Sequence, residues 1–328
     1  MWKFHPILKE TIWGGSRIAP FKGLADSGKA IGESWELSGV SGSESVVSEG
    51  PEAGMTLSSL LDKFGDAILG ERNYKKYGNR FPLLIKFIDA RHDLSVQVHP
   101  DDETAHRHGL ENGKTEMWYV MDGHPGATIA NGFSKSIHPA DYENLVTSGE
   151  IEAVLNYVPV KPGDVFLIPG GRVHAICAGV FVAEIQQTSD ATYRIYDYRR
   201  KDASGNEREL HIELAREALS FEPITGAPIK YHDREDIPVN LIKTPYFSAN
   251  VLNFSEEVMR DYSELDSFVA LVVMEGSGRL HCGADRVSDV PTEMEVKQGD
   301  TVLVSASANG LTIIPGDDGL KMLETYVA

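Results

Sequence analysis

The sequence is poor in cysteine, which limits the ways in which the fold can be held together. Only Cys177 and Cys282 occur among 328 residues, and they form neither a CxxC pair nor a disulfide framework. A disulfide-stabilised scaffold is therefore excluded. The fold must depend on a hydrophobic core, for which an apolar content of 41% is ample.

Long apolar runs are also missing from the chain. No segment approaches the length that is needed to span a bilayer, and the first residues, MWKFHPILKE, lack the apolar core of a signal peptide. Together with the scarcity of cysteine, these absences predict a soluble protein of the reducing cytoplasm with no membrane partner.

Basic residues are fewer than acidic ones. The chain has 31 lysines and arginines against 49 aspartates and glutamates, which gives a formal net charge of −18. Proteins that bind nucleic acid need clustered positive charge, so we expect no nucleic-acid partner. A small phosphorylated substrate needs only a few local cations and is compatible with this composition.

Strand-like segments dominate the sequence, and turns rich in glycine and proline separate them. Helix signals are fewer and are confined to residues 56–69, 100–109 and 212–219. The sequence therefore predicts a mainly β protein with a few short helices. The clearest predicted strands are 81–88, 94–99, 116–121, 164–169 and 179–187.

A faint internal repeat divides the chain. The stretch VKPGDVFLIP at 160–169 reappears as VKQGDTVLVS at 296–305, and WYVMDG at 118–123 reappears as LVVMEG at 271–276. In each copy a strand enters a tight turn, and a Gly-Asp turn opens another strand. Two copies of one β unit predict two jelly-roll barrels.

The expected boundary lies in a segment rich in proline and glycine near residues 221–240. We predict an N-terminal catalytic, metal-binding domain over 1–225, which carries the helical segments, and a C-terminal domain over 226–328. When the two copies are aligned, Gly310 falls opposite His174 and Val269 falls opposite Glu116. The C-terminal barrel is therefore predicted to be degenerate and to lack metal ligands.

Two motifs place potential metal ligands at the spacing of a cupin-type barrel. In SVQVHPDD, the alternation of a strand directs Gln97 and His99 to one face. Glu116 and Gly123 follow with a six-residue interval, and GDVFLIPGGRVHAI returns His174 after a glycine-rich turn. The spacing resembles that of cupins, although Gln97 replaces the usual first histidine and a longer interval precedes Glu116.

The chemistry of these four side chains favours zinc. Imidazole and carboxylate groups suit Zn²⁺, and an open coordination position leaves room for a substrate. The four predicted ligands of one ion per chain are Gln97, His99, Glu116 and His174. Iron, manganese or cobalt also bind nitrogen and oxygen ligands, so the metal itself stays open.

The departures from the simple cupin pattern resemble the type I mannose-6-phosphate isomerases, a zinc family with a Gln-x-His-Pro pair. The resemblance extends over most of the first two-thirds of the chain. It implies a zinc-dependent aldose–ketose isomerase that interconverts mannose 6-phosphate and fructose 6-phosphate through a cis-enediol. The matching stretches are TIWGG (11–15), ESWELS (33–38), SVQVHPDD (95–102), GKTEMWYV (113–120), IPGGRVHAI (168–176) and EIQQTSDATYRIYDY (184–198).

The resemblance also implies roles for residues near the ligands. It maps an active-site lysine onto Lys114, the base onto the region of Glu184, and substrate-binding roles onto Asp190 and Arg194. An isomerase of this kind needs a base beside the C1–C2 bond and cations beside the oxygens and the phosphate. The group that transfers the proton stays open, because a metal-bound water or a histidine could serve in place of Glu184.

Two further residues are expected to contact the substrate. Ser95 precedes Gln97 on the same strand face and suits a hydroxyl or phosphate group, and Trp13 is expected to line the sugar pocket. With Lys114 and Arg194 they form the predicted substrate-binding set.

Two other functions are compatible with the same metal site. One is an iron-dependent cupin dioxygenase, which the cations Lys114 and Arg194 disfavour because an apolar substrate needs neither. The other is a cupin that binds a sugar phosphate without turning it over, since the fold alone does not decide function. The sequence is compatible with either a monomer or a homodimer.

Overall fold

The computed structural model describes residues 1–25, 27–201, 204–288 and 292–327. Over these ranges strands greatly outnumber helices, and the prediction of a mainly β fold is confirmed. The strands are β1 (Trp2–His5), β2 (Ile7–Gly15), β3 (Ile31–Ser38), β4 (Val46–Val47), β5 (Leu83–Asp89), β6 (Val96–Val98), β7 (Glu116–Gly123), β8 (Thr128–Phe133), β9 (Leu155–Pro159), β10 (Val165–Ile168), β11 (His174–Ile176), β12 (Val180–Gln187), β13 (Tyr193–Tyr196), β14 (Val239–Lys243), β15 (Ser248–Phe254), β16 (Val258–Asp261), β17 (Val269–Cys282), β18 (Thr292–Lys297), β19 (Thr301–Val304) and β20 (Gly310–Tyr326).

The helices of the described ranges are short, and none is long and apolar enough to cross a membrane. Short 3₁₀ turns cover Pro139–Asp141 and Glu150–Val154. The α-helices are α1 (Ile18–Phe21), α2 (Leu57–Phe64), α3 (Asp66–Leu69), α4 (Glu71–Tyr77), α5 (Asp102–Arg107), α6 (Tyr142–Ser148) and α7 (Ile212–Ala218).

The helix predicted over 56–69 is interrupted. It begins as expected, because the side chain of Thr56 caps α2 by accepting a hydrogen bond from the Ser59 N–H. It stops at Gly65, whose φ of 47° lies outside the helical region, and α3 starts at the next residue. Glycine adopts this conformation readily, so the glycine inside the apolar pattern marks a break between two helices.

The N-terminal strands form two antiparallel sheets that enclose the candidate site. One has six strands in the order β10-β7-β12-β5-β3-β2, and the other has five in the order β13-β6-β11-β8-β9. Glu116 on β7 lies near His174 on β11 and near His99, which directly follows β6, so the two sheets face each other. This arrangement agrees with the predicted cupin-type fold.

The C-terminal strands form a nine-stranded sheet that also includes β1 and β4. Trp2 on β1 pairs with Leu303 on β19, so the first strand of the chain joins the C-terminal sheet. The predicted boundary near residue 225 stays a prediction. A large apolar cluster that includes Phe81, Phe87 and Phe268 extends from the N-terminal sheets to the C-terminal sheet.

The internal repeat is present in the structure. Gly163 and Gly299 adopt φ angles of 87° and 86°, and their N–H groups donate to the carbonyls of Val120 and Val273 at the same distance of 2.9 Å. In both turns the next residue is an aspartate whose carboxylate accepts a hydrogen bond from the backbone three residues earlier. The two short sequence matches therefore mark equivalent turns in the two sheets.

The strand register extends this equivalence to the candidate site. Trp118 on β7 pairs with Glu184 on β12, and Leu271, the counterpart of Trp118 in the repeat, pairs with Glu324 on β20. Glu324 thus occupies in the C-terminal sheet the position that Glu184 occupies in the first. Among the described residues, the cluster of side chains that could hold a metal ion lies between the N-terminal sheets, and Glu324 is not part of it.

Glu324 is fully buried and accepts hydrogen bonds from three side chains. The Arg260 guanidinium donates to both carboxylate oxygens at 3.0 Å, and Tyr262 Oη and Asn250 Nδ2 donate at 2.7 Å. A buried carboxylate is tolerated only when its charge is compensated in this way. The C-terminal counterpart of the site is therefore occupied by a structural ion pair.

We expect Arg260→Met to lower the free energy of unfolding by about 3 kcal/mol or more, because it leaves the Glu324 carboxylate buried without a cation. Urea denaturation followed by circular dichroism measures this change. Arg279→Met is the matched control, because Arg279 is exposed on β17 of the same sheet and should cost less than about 0.5 kcal/mol. Equal stability of the two variants would show that the ion pair is not needed.

Candidate active site

Three functional side chains stand in one row across the five-stranded sheet. Gln97 on β6 is the direct cross-strand partner of His174 on β11 and of Arg194 on β13. Residues that oppose each other in antiparallel strands share a face of the sheet. The row therefore presents an amide, an imidazole and a guanidinium toward the opposite sheet.

A second polar row crosses the six-stranded sheet. Lys86 on β5 pairs with Glu184 on β12, which pairs with Trp118 on β7. Glu116 lies two residues before Trp118 and shares its face, and it pairs with Gln186. These charged side chains are buried, so each needs partners within the protein.

The predicted ligands His99, Glu116 and His174 come together at the centre. Their potential ligand atoms all lie within 4.8 Å of one another. His99 Nε2 is 3.1 Å from Glu116 Oε1, and His174 Nε2 is 3.9 Å from Glu116 Oε2. The chain thus gathers three groups that are separated by up to 75 positions in sequence into one buried cluster.

The protonation states of these groups suit a metal ion. Burial and the nearby Lys114 ammonium lower the pKa of His99 to about 3, and burial also lowers the pKa of His174. Burial opposes ionisation of Glu116, but the adjacent Lys114 ammonium outweighs it and holds the pKa of Glu116 well below the usual range. Two neutral imidazoles and one carboxylate are therefore available as ligands at neutral pH.

A hydrogen bond from the ring nitrogen that faces away from the cluster fixes the orientation of His174. Its Nδ1 lies 2.9 Å from the carbonyl oxygen of Arg172 and donates to it, which leaves the Nε2 lone pair directed at the cluster. Gln97 Nε2 lies 3.4 Å from His174 Nε2, and a half-turn of the amide presents Oε1 at the same place. The donor set therefore fits a divalent cation.

Lys114 lies directly against the ligand cluster. Its Nζ is 2.8 Å from Glu116 Oε1 and 3.1 Å from His99 Nε2, and the side chain is buried. A divalent cation at these atoms would repel the ammonium group. Lys114 also lines the cavity described below, so its ammonium is placed to meet an oxygen of a bound molecule.

Glu184 shares a donor with the ligand Glu116. The indole Nε1 of Trp118 lies 2.9 Å from Glu184 Oε2 and 3.2 Å from Glu116 Oε2. Lys86 Nζ lies 3.2 Å from the other oxygen of Glu184. Burial and the charge of Glu116 raise the pKa of Glu184, although the two lysines oppose this shift. A carboxylate with a raised pKa is a stronger base than an exposed one.

A single cavity of about 350 Å³ connects these groups. Asp190 lies on its exposed rim, and the Arg194 guanidinium is held by a 2.8 Å hydrogen bond from Nη1 to the carbonyl of Glu209. His99 and His174 belong to the ligand cluster behind Glu116. The predicted residues that line the cavity are Trp13, Ser95, Gln97, Lys114, Glu116, Glu184, Asp190 and Arg194.

Four polar residues of the cavity wall were not predicted from the sequence: Glu33, Lys86, Thr192 and Arg208. Lys86 had a signal, because it is the one charged residue within the apolar run FPLLIKFI and such a lysine needs an acidic partner. Glu33 lies in the motif ESWELS, and its carboxylate accepts a hydrogen bond from Trp35 Nε1 at 2.6 Å. Arg208 had no signal in its local sequence.

Comparison with known proteins agrees with this geometry. The family model for the type I phosphomannose isomerase catalytic domain matches residues 1–132. Mannose-6-phosphate isomerase ManA of Bacillus subtilis is 40% identical over 283 residues, which cover 85% of this chain and 87% of that protein. The probable mannose-6-phosphate isomerase GmuF of the same organism is 37% identical, with coverages of 84% and 86%.

The solved structures include a similar whole chain. The crystal structure of the mannose 6-phosphate isomerase from Bacillus subtilis superposes with a TM-score of 0.86 at 31% identity, and covers 99% of this chain and 98% of that one. These similarities define a class of mainly β sugar-phosphate isomerases. The chain belongs to the type I mannose-6-phosphate isomerase family, and the prediction that it is an enzyme of this family is confirmed.

Proposed function

We propose that the protein interconverts mannose 6-phosphate and fructose 6-phosphate by proton transfer through a cis-enediol, with one zinc ion per chain. The observation that supports this most directly is the meeting of three kinds of group in one cavity. A cluster of metal ligands, a buried carboxylate with a raised pKa and several cations all lie there. An aldose–ketose isomerase of a sugar phosphate needs a base beside the C1–C2 bond, a Lewis acid or a cation beside the oxygens, and an anchor for the phosphate.

The residues that would hold the ion are Gln97, His99, Glu116 and His174. When bound, zinc supplies a Lewis acid beside the oxygens of the substrate. The similar proteins are named for mannose 6-phosphate, and this supports the choice of substrate.

In this proposal Glu184 is the base. It takes the proton from C2 of the open-chain aldose and returns it to C1 from the same side, while the proton on O2 passes to O1. Lys114 and Arg194 donate hydrogen bonds to substrate oxygens on which negative charge develops. Trp13, Ser95 and Asp190 border the cavity and position the sugar.

The decisive experiment removes the metal and returns it. Protein stripped with a chelator should lose at least about 99% of its turnover of mannose 6-phosphate, because the neutral histidines and the carboxylate left behind cannot replace the Lewis acid beside the substrate oxygens. Added zinc should restore the activity in proportion to the metal bound, measured by elemental analysis. Full activity of the stripped protein would contradict the requirement for a metal.

The same experiment separates the alternatives. A dioxygenase would need iron and would consume oxygen, whereas the wall of this cavity carries four cationic side chains that an apolar substrate would not use. A binding protein would take up the sugar phosphate and release it unchanged. Bound zinc with bound substrate and no product would favour that reading over isomerisation.

A further inference from the structure

Arg208 lines the cavity but lies outside the metal-ligand cluster. Its segment is held against β13 by two backbone contacts: the His211 N–H donates to the Arg194 carbonyl at 2.7 Å, and the Arg194 N–H donates to His211 Nδ1 at 3.0 Å. β13 is the outermost strand of its sheet, two strand spacings or about 10 Å from β11, which carries His174. β6, which carries Gln97, borders β13 on its inner side, so the Arg208 segment docks on the outer side of β13, farther from the ligands than Arg194.

A buried carboxylate orients the Arg208 guanidinium. Nε and Nη2 donate to the two oxygens of Asp197 at 2.7 and 2.6 Å, and Asp197 is only 4% exposed. Arg200 pairs with the same carboxylate. Within the described part of the chain Nη1 of Arg208 donates no hydrogen bond, so the edge of the fork opposite Asp197 is available to a ligand.

Positive charge exceeds negative charge in this group. The two lysines of the cavity wall each lie against a glutamate, at 3.2 and 2.8 Å. Arg194, by contrast, pairs with no carboxylate within the described ranges, and Arg200 and Arg208 share the single charge of Asp197. Three guanidinium groups against two carboxylates, Asp197 and the Asp190 of the cavity rim, leave a net charge of about +1, which favours a bound anion.

We propose that Arg208, oriented by Asp197, anchors the phosphate of the substrate and selects phosphorylated over unphosphorylated hexoses. This inference rests on the proposed function, which places C1 and C2 of the sugar near the metal ligands. The phosphate on C6 is then at the opposite end of an extended chain, on the side of β13. A guanidinium with one edge fixed and one edge available suits the oxygens of a phosphate.

Binding of D-mannitol 1-phosphate, a reduced form of the substrate that cannot isomerise, tests this role by titration calorimetry on the zinc-loaded protein. Arg208→Met should raise its Kd at least about tenfold, the effect of one charge-assisted hydrogen-bonded pair. Arg208→Lys, which keeps the charge but not the fork, should show a smaller rise. The control is Arg199→Met, which removes the same charge from an exposed side chain outside the cavity and should leave the Kd within about twofold.

Discrimination between substrates provides the second measurement. Unphosphorylated D-mannitol should bind to wild type and to Arg208→Met with the same Kd, because it has no phosphate to contact Arg208. A Kd for mannitol 1-phosphate that is unchanged in Arg208→Met, or raised equally in Arg199→Met, would overturn the proposal. If Arg208→Met does not fold, an unchanged Kd in Arg208→Lys would also overturn it.

The two proposals fail separately. Wild-type protein that binds mannitol 1-phosphate through Arg208 but does not isomerise mannose 6-phosphate would remove the proposed function and keep the anion site. Wild-type protein that isomerises the substrate, together with an unchanged Kd for mannitol 1-phosphate in Arg208→Met, would keep the proposed function and remove the role of Arg208.

Discussion

Glu116→Gln should abolish metal binding and lower turnover by more than about a hundredfold. Glu116 is the only carboxylate in the three-residue ligand cluster, so its replacement removes the one negative charge that opposes the charge of the ion. Replacing a residue that only hydrogen-bonds to a metal ligand typically lowers metal affinity or activity by about 10- to 100-fold. Replacing a ligand itself should have a larger effect. Elemental analysis after dialysis and a coupled assay measure the two losses.

Glu33→Gln is the matched control for this experiment. It removes a carboxylate from the same cavity wall, but from a residue that is bonded to Trp35 rather than to the ligand cluster. It should keep a full complement of metal. Thermal unfolding of both stripped variants shows whether Glu116→Gln is folded, and a folded variant that retains stoichiometric metal would contradict the assignment of Glu116 as a ligand.

The features that were predictable from sequence are those encoded over a few residues. Strict alternation in SVQVH puts Gln97 and His99 on one strand face, and the structure has β6 there with His99 directly after it. The Gly-Asp turns of the repeat were likewise local, since the positive φ of Gly163 and Gly299 and the hydrogen bond that each aspartate accepts from the residue three positions earlier lie within the turn itself. Such features can be predicted from the sequence because they depend on residues that are neighbours along the chain.

The features that were missed depend on contacts between distant segments. Arg208 reaches the cavity because His211 docks its segment on β13, and nothing in the sequence around it reports that docking. The crossing of β1 into the C-terminal sheet is of the same kind, because Trp2 and Leu303 are at opposite ends of the chain. Pairings at such separation are decided by the whole fold rather than by local preference.

Lys86 was partly predictable from the sequence, and it contacts Glu184, the proposed base. A lysine in a buried strand must be compensated, and the structure supplies two carboxylates, Glu184 at 3.2 Å and Glu33 at 3.6 Å. These partners raise the pKa of Lys86 despite its burial, so it remains charged. Its ammonium therefore fixes one oxygen of Glu184 while Trp118 Nε1 fixes the other.

Glu184→Gln should lower kcat by about 10²- to 10⁴-fold, the usual contribution of a positioned general base, with little change in KM. Glutamine is nearly the same size and its oxygen can still accept from Trp118, so the cavity should keep its shape. Metal content should stay at the wild-type level. The specific readout is exchange of the C2 hydrogen with deuterated solvent, followed by proton resonance on the product.

This readout distinguishes a catalytic role from a structural one. Loss of the charge on Glu184 leaves Lys86 with Glu33 as its remaining acidic partner, so some loss of stability is expected in any case. A structural defect would depress kcat and weaken substrate binding together, whereas loss of the base slows proton removal in a site that still binds metal and substrate. If Glu184→Gln exchanges the C2 hydrogen at the wild-type rate, another group must carry the proton, and His99 and Lys114 beside Glu116 would become the groups to replace next.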